Sequence, residues 1–107
     1  LLLRGFLVLH HLPRMKFDLF SNNDCSGKPI KSVYGGFHQC LSGKIEGNGP
    51  QTHSIRAHGG EGSKLSMYPW GTGIGCKGPG VANAWFVNGG DCAVGNGLDA
   101  DHFIYNP

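Results

Sequence analysis

The chain has 107 residues, enough for one domain, and only 15% of them are charged, against the usual quarter. A net charge of +2 gives no electrostatic footprint for nucleic acid. Gly and Pro supply 25 residues, roughly twice ordinary usage, so the chain is dominated by turns. These figures exclude a coiled coil, a basic nucleic-acid-binding domain, a collagen-like repeat and a multi-domain enzyme.

The apolar residues are unevenly spread. Leu1, Leu2, Leu3, Phe6, Leu7, Val8, Leu9 and Leu12 crowd the N-terminus. This stretch looks like a signal-peptide core, but Arg4 interrupts it and no small-residue cleavage site follows. It is too short to span a bilayer. Residues 1–14 are therefore expected to be an N-terminal extension: a leader remnant, an adventitious segment or an extra strand. Beyond it, Leu, Ile, Val and Phe are too sparse to offset chain entropy comfortably, so covalent help is expected.

Helical periodicity is nearly absent after Pro13, and short apolar runs lie between turn residues, which is the all-β signature. The expected strands, in chain order, are Met15 to Phe20, Pro29 to Tyr34, Phe37 to Leu41, Thr52 to Ala57, Lys64 to Tyr68, Val81 to Val87 and His102 to Tyr105. Alternation puts Met15, Phe17 and Leu19 on one face of the first, and Leu65 and Met67 on one face of the fifth. Tyr34, Trp85 and Phe86 fall in strands and are expected to pack.

Four cysteines are available: Cys25, Cys40, Cys76 and Cys92. Zinc sites bring ligands in close pairs, and no close pair exists here. An even count in a short, Gly-rich chain instead reads as two disulfides and an oxidising, extracellular location. Four cysteines allow three connectivities.

The second half of the chain repeats the first. Phe17 and Phe20 answer Leu65 and Tyr68, 48 residues on. Cys25-Ser26-Gly27 answers Cys76-Lys77-Gly78 at 51, Cys40 answers Cys92 at 52, and Ile55 answers Ile104 at 49. Three extra residues sit in the second copy's first turn, within Pro69 to Gly75. The unit is a strand ending in an aromatic, a turn, Cys-x-Gly, a strand, Cys, a loop and a short strand.

This repeat resembles the βγ-crystallin Greek-key motif, in which an aromatic, four residues, a second large residue, one residue and a Gly form a folded hairpin. Here those positions read Phe20, Ser21 to Asp24, Cys25, Ser26 and Gly27, with Ser54 opening a later strand. Cys in place of the second aromatic is found in small secreted microbial members. The Gly is needed because the hairpin folds back over its sheet with a backbone that a Cβ disfavours. The resemblance implies an all-β, two-sheet Greek-key β-sandwich over residues 15–107, motif one at 15–58 and motif two at 64–107. It implies the pairing within each unit, Cys25 with Cys40 and Cys76 with Cys92. Phe17, Leu19, Val33, Ile55, Leu65, Met67 and Ile104 would lie between the sheets.

Many βγ-crystallins bind calcium through adjacent Asn or Asp residues ahead of the last strand. Aligned on Ser54, those positions are Gly49 and Pro50, which offer no side-chain oxygen. In the second copy Asp99 and Asp101 lie before the last strand, but the Ser is missing. No metal and no cofactor are therefore expected. His10, His11, His38, His53, His58 and His102 form no metal-binding pattern, and the carboxylates make no pair suited to acid–base work, so no catalytic residue is assigned. His53 is expected to accept a hydrogen bond at a strand start. The Gly-rich loop carrying Trp70, Thr72 and Ile74 is the candidate partner-binding loop, since exposed apolar residues on loops serve as anchors.

The resemblance extends to small secreted toxins, antifungal proteins and a metalloproteinase inhibitor. It implies a secreted, non-enzymatic, monomeric binding protein, toxin-like or host-directed, whose partner is a cell-surface or protein target. It implies neither nucleic-acid binding nor stable membrane insertion. Lys28, Lys31, Lys44, Arg56, Lys64 and Lys77 would favour anionic surfaces weakly. The alternatives are a proteinase inhibitor, with candidate loops at His58 to Ser63 and Pro69 to Gly75, and a calcium-stabilised structural protein.

Overall fold

A computed structural model describes residues 14–58, 64–69, 75–76, 83–85, 90–95, 97 and 99–107. The protein is all-β, with eight described strands: β1 (Met15–Phe20), β2 (Lys31–Gly35), β3 (Leu41–Ser42), β4 (Ser54–His58), β5 (Lys64–Pro69), β6 (Asn83–Trp85), β7 (Cys92–Val94) and β8 (Ala100–Asn106). They form two four-stranded sheets in the orders β2-β1-β4-β7 and β3-β8-β5-β6, with antiparallel neighbours throughout.

The third strand of each half has therefore crossed to the sheet of the other half: β7 pairs with β4, and β3 pairs with β8. Two local features shape this crossing. Pro29 cannot donate to a ladder, and β2 begins only at Lys31. His38 sits at φ 64°, a left-handed conformation that breaks the extended run expected from Phe37 to Leu41. Only Leu41–Ser42 remains a strand, beside β8. Its counterpart β7 has no signal in the sequence, because Cys-Ala-Val between Gly-rich turns carries almost no apolar pattern.

The core lies between the sheets. Met15, Phe17, Leu19, Ile55, Ala57 and Ala93 of the first sheet meet Leu41, Leu65, Met67, Ala100, Phe103 and Tyr105 of the second. Phe17 is packed edge-on against both Phe103 and Tyr105, with ring centroids 5.1 and 5.6 Å away. Such pairs add about 1 kcal/mol beyond the area they bury. Five of the seven expected core residues lie here, and Val33 packs against them partly buried. Ile104 does not, because β8 is in the opposite phase: Phe103 and Tyr105 point inward and Ile104 outward. The structural counterparts of Ile55 and Ala57 are thus Phe103 and Tyr105, 48 residues on, the same offset that relates β1 to β5.

Hydrogen bonds between the halves obey the same correspondence. Gly43 N donates to Asp101 O, and Gly95 N donates to His53 O. His38 N donates to Tyr105 O, and Gly90 N donates to Ala57 O. Donors in each pair are related by 52 residues and acceptors by 48, so both offsets recur residue for residue.

Both disulfides are formed, but not with the pairing expected. Cys25 is joined to Cys92 and Cys40 to Cys76, with Cα separations of 6.0 and 5.7 Å. The strand crossing is the reason. It carries Cys92 on β7 to the first sheet, beside the Cys25 turn, and carries Cys40 ahead of β3 to the second. The two bridges are equivalent under the repeat, but each joins the halves instead of closing one half on itself. They close separations of 67 and 36 residues, each worth about 4 kcal/mol in the chain-entropy model. Two such bridges fit an oxidising compartment. Among the described residues, no helix is long and apolar enough to cross a membrane.

Candidate functional site

Three polar constellations stand on this frame. The first is the hairpin after β1. Cys25 at φ 57° and Gly27 at φ 80° fold the chain back over the outer face of the first sheet, covering Phe20. Ser54 holds the fold: its Oγ accepts from Cys25 N at 2.9 Å and donates to Asn22 O at 2.5 Å. Asp24 Oδ1 accepts from Ser26 N, and hydrogen bonding to the Ser26 side chain and then to its backbone holds the Asp24 carboxyl below the ordinary range. In the second half, His102 occupies the position of Ser54. Its Nδ1 is shielded from solvent and lies 3.2 Å from Asp101 Oδ2 without hydrogen-bond geometry.

The second constellation is a cleft of about 600 Å³ lined by Lys44, Ile45, Glu46, Gly47, Asn48, Gln51 and Asp99. It exists because the connection from Gly43 to Thr52 is four residues longer than its counterpart from Gly95 to Ala100. The longer loop is pinned at its base. Gln51 Oε1 accepts from Ile45 N at 3.0 Å, and Gln51 Nε2 donates to Ile45 O at 2.9 Å. Thr52, fully buried, donates from Oγ1 to Gly43 O at 2.7 Å. Beside the cleft, His53 Nε2 meets Asp99 Oδ1 at 2.7 Å. Its Nδ1 lies 2.8 Å from Ser21 O and must donate there, since a carbonyl only accepts. His53 is thus a donor, not the acceptor expected from its place at a strand start. It ties the β1 turn of one half to the β8 approach of the other.

The third lies on the outer face of the first sheet, where the hairpin does not reach. Alternation turns Lys16, Asp18, Ser32, Tyr34, Arg56 and His58 outward, and the register sets Tyr34, Lys16 and His58 side by side across three strands. Asp18 is the centre. Its Oδ1 accepts from Ser32 Oγ at 2.7 Å, its Oδ2 lies 2.8 Å from His58 Nε2, and Lys16 Nζ is 3.8 Å away. Burial opposes ionisation of Asp18, but the bonds from Ser32 and His58 and the charge on Lys16 outweigh it and hold its carboxyl below the ordinary range. Arg56 reaches back to Gly90 O, and Arg14 donates to Tyr34 O at 3.4 Å. Tyr34 is 53% exposed, not packed as its place in a strand suggests, because β2 is an edge strand and Tyr34 lies on its outer face.

Chemically, the Asp18 group has the components of a catalytic triad in an arrangement that does not activate the serine. Ser32 and His58 both donate to the carboxylate, so the imidazole does not face the hydroxyl it would have to deprotonate. A depressed carboxyl is also a weak base. Among the described residues, no group of three His, Cys, Asp or Glu side chains converges as metal ligands would.

Of the residues singled out from sequence, Cys25, Cys40, Cys76 and Cys92 lie in the bridges described above. Trp70, Thr72 and Ile74 lie outside the described residues, as do residues 59–63 of the other candidate loop. Trp85 lies on β6, and Phe86 is outside the described residues. Lys28, Lys31 and Lys44 are exposed, whereas Arg56 is partly buried. Sequence spacing does not show the pairs His58–Asp18 and His53–Asp99. They are far apart in sequence, and only the register across β1 and β4 and the approach of β8 bring them together. Searches against family models, curated proteins and solved structures find no match to this chain.

Proposed function

We propose that the protein is a small, secreted, βγ-crystallin-like binding protein that acts outside the cell, toxin-like or host-directed, by engaging a cell-surface or protein target. The observation that carries this reading is the pair of repeat-equivalent disulfides joining two halves that have exchanged strands. The lean core is locked by two covalent bonds that persist in an oxidising setting. A Greek key places its fourth strand beside its first, in the spatial order 4-1-2-3. In each half here the fourth strand lies beside the first and the first beside the second, while the third has moved to the facing sheet. That order, with the recurrent offsets, supports the crystallin-like reading. The polar constellations add binding surface rather than an activated nucleophile.

Growth inhibition of fungal and bacterial lawns by the oxidised protein, lost after reduction, is the expected result. No effect on any lawn or on plant tissue would count against a toxin or effector. A second reading, proteinase inhibition, is favoured by one feature: the Lys44–Pro50 loop is exposed and pinned at its base by Gln51, and rigid loops lose less entropy on binding. Inhibition of a protease in a panel, abolished by Gln51→Ala, would place that reading first.

A further inference from the structure

The repeat separates positions that serve the frame from positions that do not. Equivalent core positions are apolar in both halves: Phe17 and Leu65, Leu19 and Met67, Ile55 and Phe103, Ala57 and Tyr105. Lys16 and Lys64 match, but other equivalent outer positions diverge. Asp18, Arg56 and His58 on the first sheet correspond to Ser66, Ile104 and Asn106 on the second. The frame does not demand charge at these places, since the second sheet forms without it. Yet Arg14, Lys16 and Arg56 lie at the first sheet's outer face, against the covered carboxylate of Asp18 there, with Asp91 at the far margin beside β7. The patch is cationic in a chain whose overall charge is only +2.

Tyr34 stands in this patch as the exposed large hydrophobic side chain among the described residues. Its neighbours across the sheet are Lys16 and then His58, whose side chains are 46% and 45% exposed. The row spans about 10 Å over three strands and is open to solvent. An aromatic face packs against the C–H face of a sugar ring, because its π-cloud is negative and the C–H edge is positive. Lys16, across from Tyr34, and Arg14, which donates to Tyr34 O, are the cations next to the ring that can meet carboxylate or sulfate groups. A bilayer would need more than one protruding apolar side chain, and duplex nucleic acid would need a wider basic track.

We propose that the outer face of the first sheet, centred on Tyr34, Lys16 and His58, is a binding site for an anionic polysaccharide. This deepens the reading of a surface-targeting protein and rests on it for the biological setting, but not for the chemistry of the site. Asp18 holds Ser32 and His58 in place on this face and offsets part of its positive charge.

The test is calorimetric titration of the intact oxidised protein with dextran sulfate, polygalacturonate, neutral dextran and vesicles containing anionic phospholipid. Both anionic polysaccharides are expected to bind, weakening as salt rises, and neutral dextran is not. Tyr34→Ala and Lys16→Gln are each expected to weaken binding by about fivefold to tenfold, while Lys28→Gln on the hairpin changes it by less than about twofold. Unchanged melting temperatures would show that the exposed substitutions leave the fold intact. Absence of binding to either polyanion, equal loss in Lys28→Gln, or tighter binding to the vesicles would overturn the proposal. Growth inhibition that persists in Tyr34→Ala and Lys16→Gln would remove this site while leaving the proposed function standing.

Discussion

Asp18 shows how one side chain couples charge to stability. Its carboxyl is held below the ordinary value of 3.8 by Ser32, His58 and Lys16, against the effect of burial. A carboxyl with a depressed folded value stabilises the protein above its unfolded value, and that contribution is lost as pH falls through the folded one. Lys16 and His58 are half exposed, so water screens their share, and the whole is worth about 1 kcal/mol. Urea unfolding should find Asp18→Asn less stable by that amount at neutral pH. Wild type and variant should converge as pH falls below about 4, toward pH 2. A constant difference across that range would show that the carboxylate's charge is not what matters. None of this was legible in the sequence, because Asp18, Ser32 and His58 meet only when β2 and β4 flank β1.

At the scale of the strand, β8 carries the heaviest side chains of the core. Phe103 and Tyr105 are fully buried and both lie against Phe17. Truncating Phe103 to Ala should cost about 3–5 kcal/mol, read from the denaturant midpoint. Ile104→Ala, one residue on and facing outward, should cost less than about 1 kcal/mol. The reverse order would mean that β8 is out of phase with this register. The sequence showed β1 and β5 plainly, since Met15, Phe17 and Leu19, like Leu65 and Met67, alternate with polar residues. It hid the phase of β8, where Phe103, Ile104 and Tyr105 are apolar in succession and either face could be inside. It hid β7 for the opposite reason, having only Ala93 to bury. The repeat itself held the missing signal: Cys92-Ala93-Val94 stands where Cys40-Leu41-Ser42 stands in the first half, and the offset of 48 rather than 49 sets Phe103 against Ile55.

Across the whole molecule, the bridges and the exchanged strands act on the same join. Peptide mapping without reduction should recover Cys25 linked to Cys92 and Cys40 linked to Cys76, with free thiols absent. Replacing either pair by Ala should lower stability by a similar amount, about 4 kcal/mol each, because the two are equivalent under the repeat. Links confined to one half would contradict the strand order. Sequence spacing alone could not reveal this pairing. Residues 15 apart in Cys25 and Cys40 look like natural partners only until β3 leaves for the other sheet.

The crossing of β3 and β7 also bears on how the molecule withstands proteolysis. Neither half possesses a complete sheet without the other, and sulfur ties both ends of the exchange. A cut in the segment numbered 59–63 would therefore sever the chain without releasing a fragment, and the nicked particle would keep its shape until a reductant arrived. Durability of that kind belongs to the weave rather than to the continuity of the thread.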